Sequence, residues 1–222
     1  FYNFRIINGE QMNILGIDEA GRGPVIGPLI VAGIVIPDEK VPVLERMGIK
    51  DSKKLTPTRR KVLSRKLKNM FEYETVEITA QDIDKLRAND VNLNEIEKIA
   101  MLKIINQLDC DCIIIDSVDV KPKRLEKEIK SITGSTNVIS EHKADDKYIQ
   151  VAAASIIAKH ERDMIIERLK KDYRKIGEMG SGYPSDPKTK KFLEKFTYDE
   201  MPDIVRKSWK TVQNIKERSK ED

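Results

Sequence analysis

Apolar and polar positions change period repeatedly along the chain, and each change marks an element. Asn13 to Ile17 is a short apolar run that reads as a buried strand. Pro28 to Ile36 is a second, entered through Gly27-Pro28 and ended by Pro37-Asp38. Thr56-Pro57 is a helix start, with threonine as cap and proline in the first turn, and that helix continues to about Met70. Tyr73 to Ile78 alternates and reads as a third strand. Thr79 caps a short helix near Asp82 to Asn89. Asn92 or Asn94 opens another, with Ile96, Ile99, Ala100, Lys103 and Ile104 at helical spacing. Cys112 to Asp116 is a strongly apolar strand that ends in an acid. Pro122 to Ile132 is helical, Asn137 to Ser140 a short strand, and Tyr148 to Tyr173 one long helix. Gly177 to Pro187 is a glycine- and proline-rich loop. Lys188 to Lys220 is basic and helical, broken near Met201-Pro202. Strands interleaved with helices predict an α/β class: a mixed sheet with helices on its faces.

A chain of 222 residues suits one good-sized domain with room for a small appendage. Only 5% of residues are aromatic, so the core must be built from Ile, Leu, Val and Ala. Charged residues make up 35% but the net is only +4, which does not itself predict a nucleic-acid partner; clustering must do that. Cys110 and Cys112 are spaced C-x-C, which favours neither a disulfide nor, without a second pair, a zinc site. They read as structural thiols compatible with a reducing cytoplasm. No apolar run reaches the ~20 residues of a membrane span, and no signal peptide is visible. Phe1–Gln11 reads as an appended remnant, or alternatively as a native extension, preceding Met12.

The chemistry concentrates in Ile14-Leu15-Gly16-Ile17-Asp18-Glu19-Ala20-Gly21-Arg22-Gly23. An apolar strand runs into adjacent carboxylates and then a glycine-bracketed arginine. Side-by-side acids are costly unless a cation relieves them, and hard divalent cations prefer carboxylate oxygens. The glycines permit close backbone approach to a ligand, and the Arg22 fork suits phosphate. Asp116 ends its own apolar strand, which delivers it to the sheet edge. Asp145 stands just before the long helix, whose N-terminal dipole favours anions. Taken singly, each acid is an ordinary turn former or cap. Asp18 and Glu19 raise a further constraint: adjacent strand residues face opposite ways. They can share a metal only if the chain turns there, which Ala20-Gly21 permits.

The Asp-Glu-Ala-Gly-Arg-Gly string resembles the opening of the type 2 ribonucleases H, with the archaeal branch nearest. The resemblance continues through Asp51-Ser52-Lys53-Lys54-Leu55, Ile115-Asp116-Ser117, His142-Lys143-Ala144-Asp145, Ala152 to Lys159, and Gly180 to Asp186, in one order from Asn13 to Trp209. It implies a ribonuclease H-like fold, with a catalytic domain over 12–176 and a C-terminal loop and helical lobe over 177–222. It implies that Asp18, Glu19, Asp116 and Asp145 bind two Mg²⁺ or Mn²⁺ ions astride the scissile phosphate. The implied reaction is hydrolysis of RNA paired to DNA, and cutting 5′ to a single ribonucleotide in duplex DNA, leaving 3′-hydroxyl and 5′-phosphate ends. Backbone groups of Gly21, Arg22 and Gly23 would read the 2′-hydroxyl, and Tyr183 would pack on the neighbouring sugar. Ser52, Lys53 and Lys143 would contact phosphate, with His142 a weaker candidate and His160 structural. Lys188 to Lys220 would grip the duplex, against the alternative of a solvated helical face. A cytoplasmic monomer in DNA replication and repair, with no membrane partner, is expected; no sliding-clamp motif is legible. The type 3 subgroup carries an extra N-terminal domain that eleven residues before Met12 cannot supply. A non-catalytic duplex-binding module would signal itself by a lost acid, and all four are present. A nucleotide-binding ATPase lacks its Gly-x₄-Gly-Lys-[Ser/Thr] loop.

Overall fold

A computed structural model describes residues 11–218, the side chains of Asp51 and Arg218 excepted. Apart from Gln11, the expectation for Phe1–Gln11 lies outside the described residues, as does the end of Lys188–Lys220. The strands are β1 (Asn13–Ala20), β2 (Leu29–Pro37), β3 (Tyr73–Ile78), β4 (Cys112–Asp116) and β5 (Val138–Glu141). The α-helices are α1 (Val41–Met47), α2 (Pro57–Met70), α3 (Ala80–Ala88), α4 (Leu93–Ile105) and α5 (Pro122–Thr133). They continue with α6 (Ala144–Lys147), α7 (Ile149–Asp172), α8 (Pro187–Leu193) and α9 (Lys210–Arg218). The caps foreseen in the sequence form: the Thr56 side chain accepts from the Arg59 amide, and Thr79 and Asp82 make a reciprocal capping box. Asn92, not Asn94, caps α4, accepting from the Glu95 amide at 3.1 Å.

The strands make one mixed sheet in the order β3-β2-β1-β4-β5. β1 runs antiparallel to β2 from Asn13↔Pro37 to Ala20↔Ile30. It runs parallel to β4 only from Ile14↔Cys112 to Ile17↔Ile115, and β4 runs parallel to β5. Strands this uniformly apolar must be covered on both faces, and Ile14, Leu15, Ile17 and Ile30–Ala32 are all buried. Two glycines let the helices come close. A Cβ on Gly16 would stand 2.3 Å from the backbone carbon of Gln150 on α7. On the opposite face, one on Gly33 would stand 2.4 Å from Ile104 of α4.

One expected element is corrected, and two short segments gain structure that the pattern did not give. The long helix expected from Tyr148 to Tyr173 forms as α7, and the sequence pattern gave no sign of the short α6 before it, which the extended Tyr148 (φ −120°, ψ 123°) separates from α7. The 41–54 segment, to which the sequence pattern assigned no element, holds α1 followed by a 3-10 stretch over Ile49–Lys54, with the left-handed Gly48 between them. The stretch after Lys188 is less helical than its charge pattern suggests, since no helix lies between α8 and α9. There Val205 instead makes a β-bridge to Ile26.

Contacts divide the chain into two compact units. One holds the described residues to Ala20, Ile30–Val76 and Glu97–Glu161; the other holds Gly21–Leu29, Glu77–Ile96 and the described residues from Arg162 on. The expected boundary at 176/177 falls inside the second unit. That unit has its own core of Val25, Ile26, Met179, Phe192, Leu193, Met201, Val205 and Val212, with Tyr173 and Phe196 edge-on to Phe192. The thiols are free, and burial pushes each up to about 11, so neither is a reactive thiolate at neutral pH. No described helix is long and apolar enough to cross a membrane.

The Gly16 contact is with backbone and cannot yield by a rotamer change. Gly16→Ala is expected to cost about 2–3 kcal/mol or more in urea unfolding. Gly134→Ala, where a Cβ meets open space but φ is +73°, is expected to cost only about 1 kcal/mol. Equal losses at the two sites would show that the helix–strand contact is not tight.

Candidate metal centre and glycine-rich loop

The strand registers bring the acids together. β1 and β4 are parallel and pair up to Ile17↔Ile115, so Asp18 and Asp116 are the next residues at the carboxyl ends of neighbouring strands. Ligand atoms of Asp18, Glu19 and Asp116 all lie within 4.8 Å of one another. The expected turn between Asp18 and Glu19 is absent: β1 stays in register with β2 through Asp18↔Ala32, Glu19↔Val31 and Ala20↔Ile30. The acids converge because the ladder to β4 ends at Ile17 and leaves that edge of β1 open. Asp18 Oδ1 accepts from the Glu19 amide at 2.8 Å.

Each acid is held from its own face. Asp18 shares a face with Gly16, two residues or about 7 Å back along the strand. Ser155 is one turn, about 6 Å, beyond Val151 on α7. The fully buried Ser155 hydroxyl accordingly meets the Asp18 carboxylate, and Ser155 Oγ accepts from Lys159 Nζ at 2.7 Å. Glu19 lies on the α4 face, where fully buried Glu97 adds a like charge. Asp116 Oδ1 accepts from the Ala144 amide at 2.8 Å, an amide presented by Lys143 in the left-handed conformation (φ 57°).

The cluster is electrostatically tense. Burial, then the Glu19 charge, push the Asp18 carboxyl well above the usual range. Burial also raises Glu19, with Glu97 and Asp116 adding to the rise against the Asp18 hydrogen bond. Asp116 is pushed up to about 6, mainly by burial and by Asp18, against the pull of the Ala144 amide. Glu19 Oε2 is buried with no hydrogen-bond partner among the described residues. An all-oxygen donor set with an orphaned carboxylate atom fits a hard divalent cation.

The fourth acid sits beside this group rather than in it. Asp145 is buried in α6 and is felt by Asp116 as a repulsive charge. It pairs with Lys53, whose Nζ is 3.1 Å from Asp145 and 2.6 Å from Asp146. Ser52, beside Lys53 in the 3-10 stretch, is buried. Lys143 and His142 are exposed, and His142 Nδ1 lies 3.1 Å from the Ser117 carbonyl. His160 is buried in α7.

The glycine motif lies in the second unit. Gly21 is left-handed (φ +97°), and a Cβ there would strike the Arg162 side chain at 2.3 Å. Arg22 Nη2 donates to Asn94 Oδ1 at 2.7 Å. Gly23 faces Tyr183, far away in sequence: a Cβ on Gly23 would sit 3.4 Å from its ring. The amides of Val25 and Ile26 both donate to the Gly182 carbonyl, which ties the two glycine loops together. Tyr183 is 45% exposed, so its ring has a free face.

Sequence reasoning missed several supporting residues. Ser155 carries no role in the sequence analysis, although a serine four residues before Lys159 in an apolar helix is a signal. Glu97 was passed over, although an acid among Ile96, Ala100 and Ile104 is rarely buried without a role. Arg162 and Arg206 carried no signal, since each is one cation among many in a charged stretch.

The model of the ribonuclease HII family matches residues 15–212. Ribonuclease HII of Methanobrevibacter smithii is 62% identical over 205 residues, covering 92% of this chain and 99% of that protein. Among solved structures, ribonuclease H2 from Pyrococcus horikoshii OT3 superposes with a TM-score of 0.86 at 43% identity, over 95% of this chain and 100% of that one. The ribonuclease HII of the PCNA complex from Archaeoglobus fulgidus gives 0.82 at 44%, over 91% and 96%.

The raised Asp116 pKa makes a stability prediction for the metal-free protein. Below about pH 4 this carboxyl is protonated both folded and unfolded and costs nothing. Between there and about pH 6 the folded chain keeps a proton that the unfolded chain has released, so stability falls as pH rises. In EDTA at pH 8, Asp116→Asn is therefore expected to be more stable than the parent by about 1–2 kcal/mol, allowing for partial exposure. The gain should vanish at pH 4; a gain independent of pH would exclude charge repulsion as its cause.

Proposed function

The chain belongs to the ribonuclease HII family and has its ribonuclease H-type endonuclease activity, and from that premise we propose that the acid cluster works with divalent metal to cut 5′ to ribonucleotides. The observation that carries this is the convergence of Asp18, Glu19 and Asp116 within 4.8 Å with their proton affinities raised. Asp18, Glu19, Asp116 and Asp145 would hold two Mg²⁺ or Mn²⁺ ions. Bound there, the ions supply positive charge that activates a water and stabilises the leaving oxygen.

The chain's own groups set that chemistry up. The Ser155 hydroxyl and the Ala144 amide fix the directions of Asp18 and Asp116 before anything binds. Lys53, half exposed beside Asp145, offers a phosphate oxygen an ammonium group. Ser52 and Lys143 flank it on the same proposed phosphate path. In-line attack by water on the phosphorus expels the 3′ oxygen, leaving a 3′-hydroxyl and a 5′-phosphate. Amides of Gly21, Arg22 and Gly23 read the 2′-hydroxyl, the atom that tells a ribonucleotide from its neighbours. Tyr183 packs on the adjoining sugar and leaves no room for a second hydroxyl. The exposed cations of α2 (Arg59, Lys61, Arg65 and Lys66) and the basic stretch from Lys188 hold the duplex backbone without reading sequence. A monomer acting on replicated or repaired DNA in the cytoplasm belongs to the same proposal. A clamp contact, as in the Archaeoglobus fulgidus complex, extends to this chain by similarity alone.

The test is cleavage of a DNA duplex containing one ribonucleotide. The expected result is a single cut on its 5′ side, requiring Mg²⁺ or Mn²⁺, stopped by EDTA, and reduced by about 10³-fold or more in Asp18→Asn. Cutting confined to runs of ribonucleotides would restrict the activity to extended hybrids. Cutting that survives EDTA would refute the metal assignment.

A further inference from the structure

An amide can point at a ligand only if its carbonyl partner is held the other way, and one buried side chain does this for the glycine motif. Arg206 is fully buried. Its Nη2 donates to the Gly21 carbonyl at 2.7 Å, its Nη1 to that of Arg22 at 3.1 Å, and its Nε to that of Gly27 at 2.9 Å. The Trp209 ring lies over the guanidinium at 4.8 Å, and Trp209 Nε1 donates to the Gly23 carbonyl at 3.2 Å. Arg162 holds the same loop elsewhere, donating to the carbonyls of Ile26 at 3.1 Å and Pro28 at 3.3 Å.

The peptide units are planar and trans, so C=O and N–H point in opposite directions. The Gly21 carbonyl shares its plane with the Arg22 amide, and the Arg22 carbonyl with the Gly23 amide. Turning both oxygens onto Arg206 turns both N–H groups to the opposite side of the loop. An arginine is needed for this: its rigid planar fork reaches three carbonyls at once, which the single ammonium of lysine does not. A side chain there for stability alone would be better apolar, since burying a guanidinium carries a desolvation cost.

We propose that Arg206, clamped by Trp209, is a positioning residue for ribonucleotide recognition: it pre-sets the amides of Arg22 and Gly23 toward the 2′-hydroxyl. This rests on the reading of Gly21-Arg22-Gly23 as the hydroxyl reader. It adds a residue that never touches the substrate and lies far along the chain from the motif it serves.

The experiment uses the full chain carrying Asp18→Asn, so that binding is measured without cutting, with Arg206→Lys or Trp209→Phe added. Two quantities are read: the amide NMR shifts of Arg22 and Gly23 in the free protein, and the affinity for a duplex with one ribonucleotide relative to the same duplex in DNA. Arg206→Lys is expected to shift both amides and to cut the affinity ratio by about tenfold, leaving all-DNA binding unchanged. Trp209→Phe loosens the ring that clamps Arg206, and should move the Arg22 and Gly23 amides less, with a smaller loss. It decides the matter if Arg206→Lys does not fold. Unmoved amides in a folded variant, or affinities that fall together for both duplexes, would overturn the proposal. If the amides move but the Asp18→Asn parent does not distinguish the duplexes, the positioning stands and the hydroxyl reading fails.

Discussion

The approach of α7 to β1 at Gly16 is the contact on which the acid cluster depends. With no side chain at Gly16, the first turn of α7 lies against the strand backbone. The register then carries Asp18 to Ser155, because two strand residues and one helical turn cover nearly the same length. Any side chain at Gly16 lifts the helix and separates that pair without touching either side chain. A packing constraint in the middle of the sheet thus sets the direction of a carboxylate at its end. The same logic holds on the other face, where Gly33 admits α4 and α4 carries Glu97 toward Glu19.

The charge arrangement runs against stability. Asp18, Glu19 and Asp116 converge at strand ends, Glu97 and Asp145 add like charge, and Lys53 reaches Asp145 rather than the centre. A fold selected for stability alone would space these acids or interleave arginines. The protein instead holds them with an amide from Ala144 and a hydroxyl from Ser155, which orient carboxylates without neutralising them. Orientation without neutralisation leaves the charge to be met by a cation, which is what a metal-dependent phosphodiesterase requires. The left-handed Lys143 belongs to this arrangement, since its conformation presents the Ala144 amide.

The second unit solves the opposite problem. Its glycine loop is anchored through carbonyls by buried arginines, which makes a flexible sequence rigid. Glycine is needed at position 21 for the left-handed turn and for the passage of Arg162 beneath it. Tyr183 reaches Gly23 because Gly182, also left-handed, accepts from two amides of the same loop.

The strands, most helices and the identity of the acid residues were legible in the sequence, because they follow from local periodicity, cap chemistry and apolar runs that end in an acid. Thr56, Thr79 and the run Cys112 to Asp116 behave as their local pattern says. Local pattern did not determine the short α6 before Tyr148, nor the absence of helix between α8 and α9, where burial of Met201 and Val205 and a bridge to Ile26 outweigh propensity. It also could not decide how adjacent carboxylates facing opposite ways would meet. That depends on where the parallel ladder to β4 stops, a property of the paired strands and not of either one. Ser155, Glu97, Arg162 and Arg206 gain their roles from partners tens to almost two hundred residues away. The sequence by itself determined which chemistry the chain carries, since residue types and local order suffice for that; only the tertiary structure decided which groups hold that chemistry in place, since register and close packing join positions that no local pattern connects.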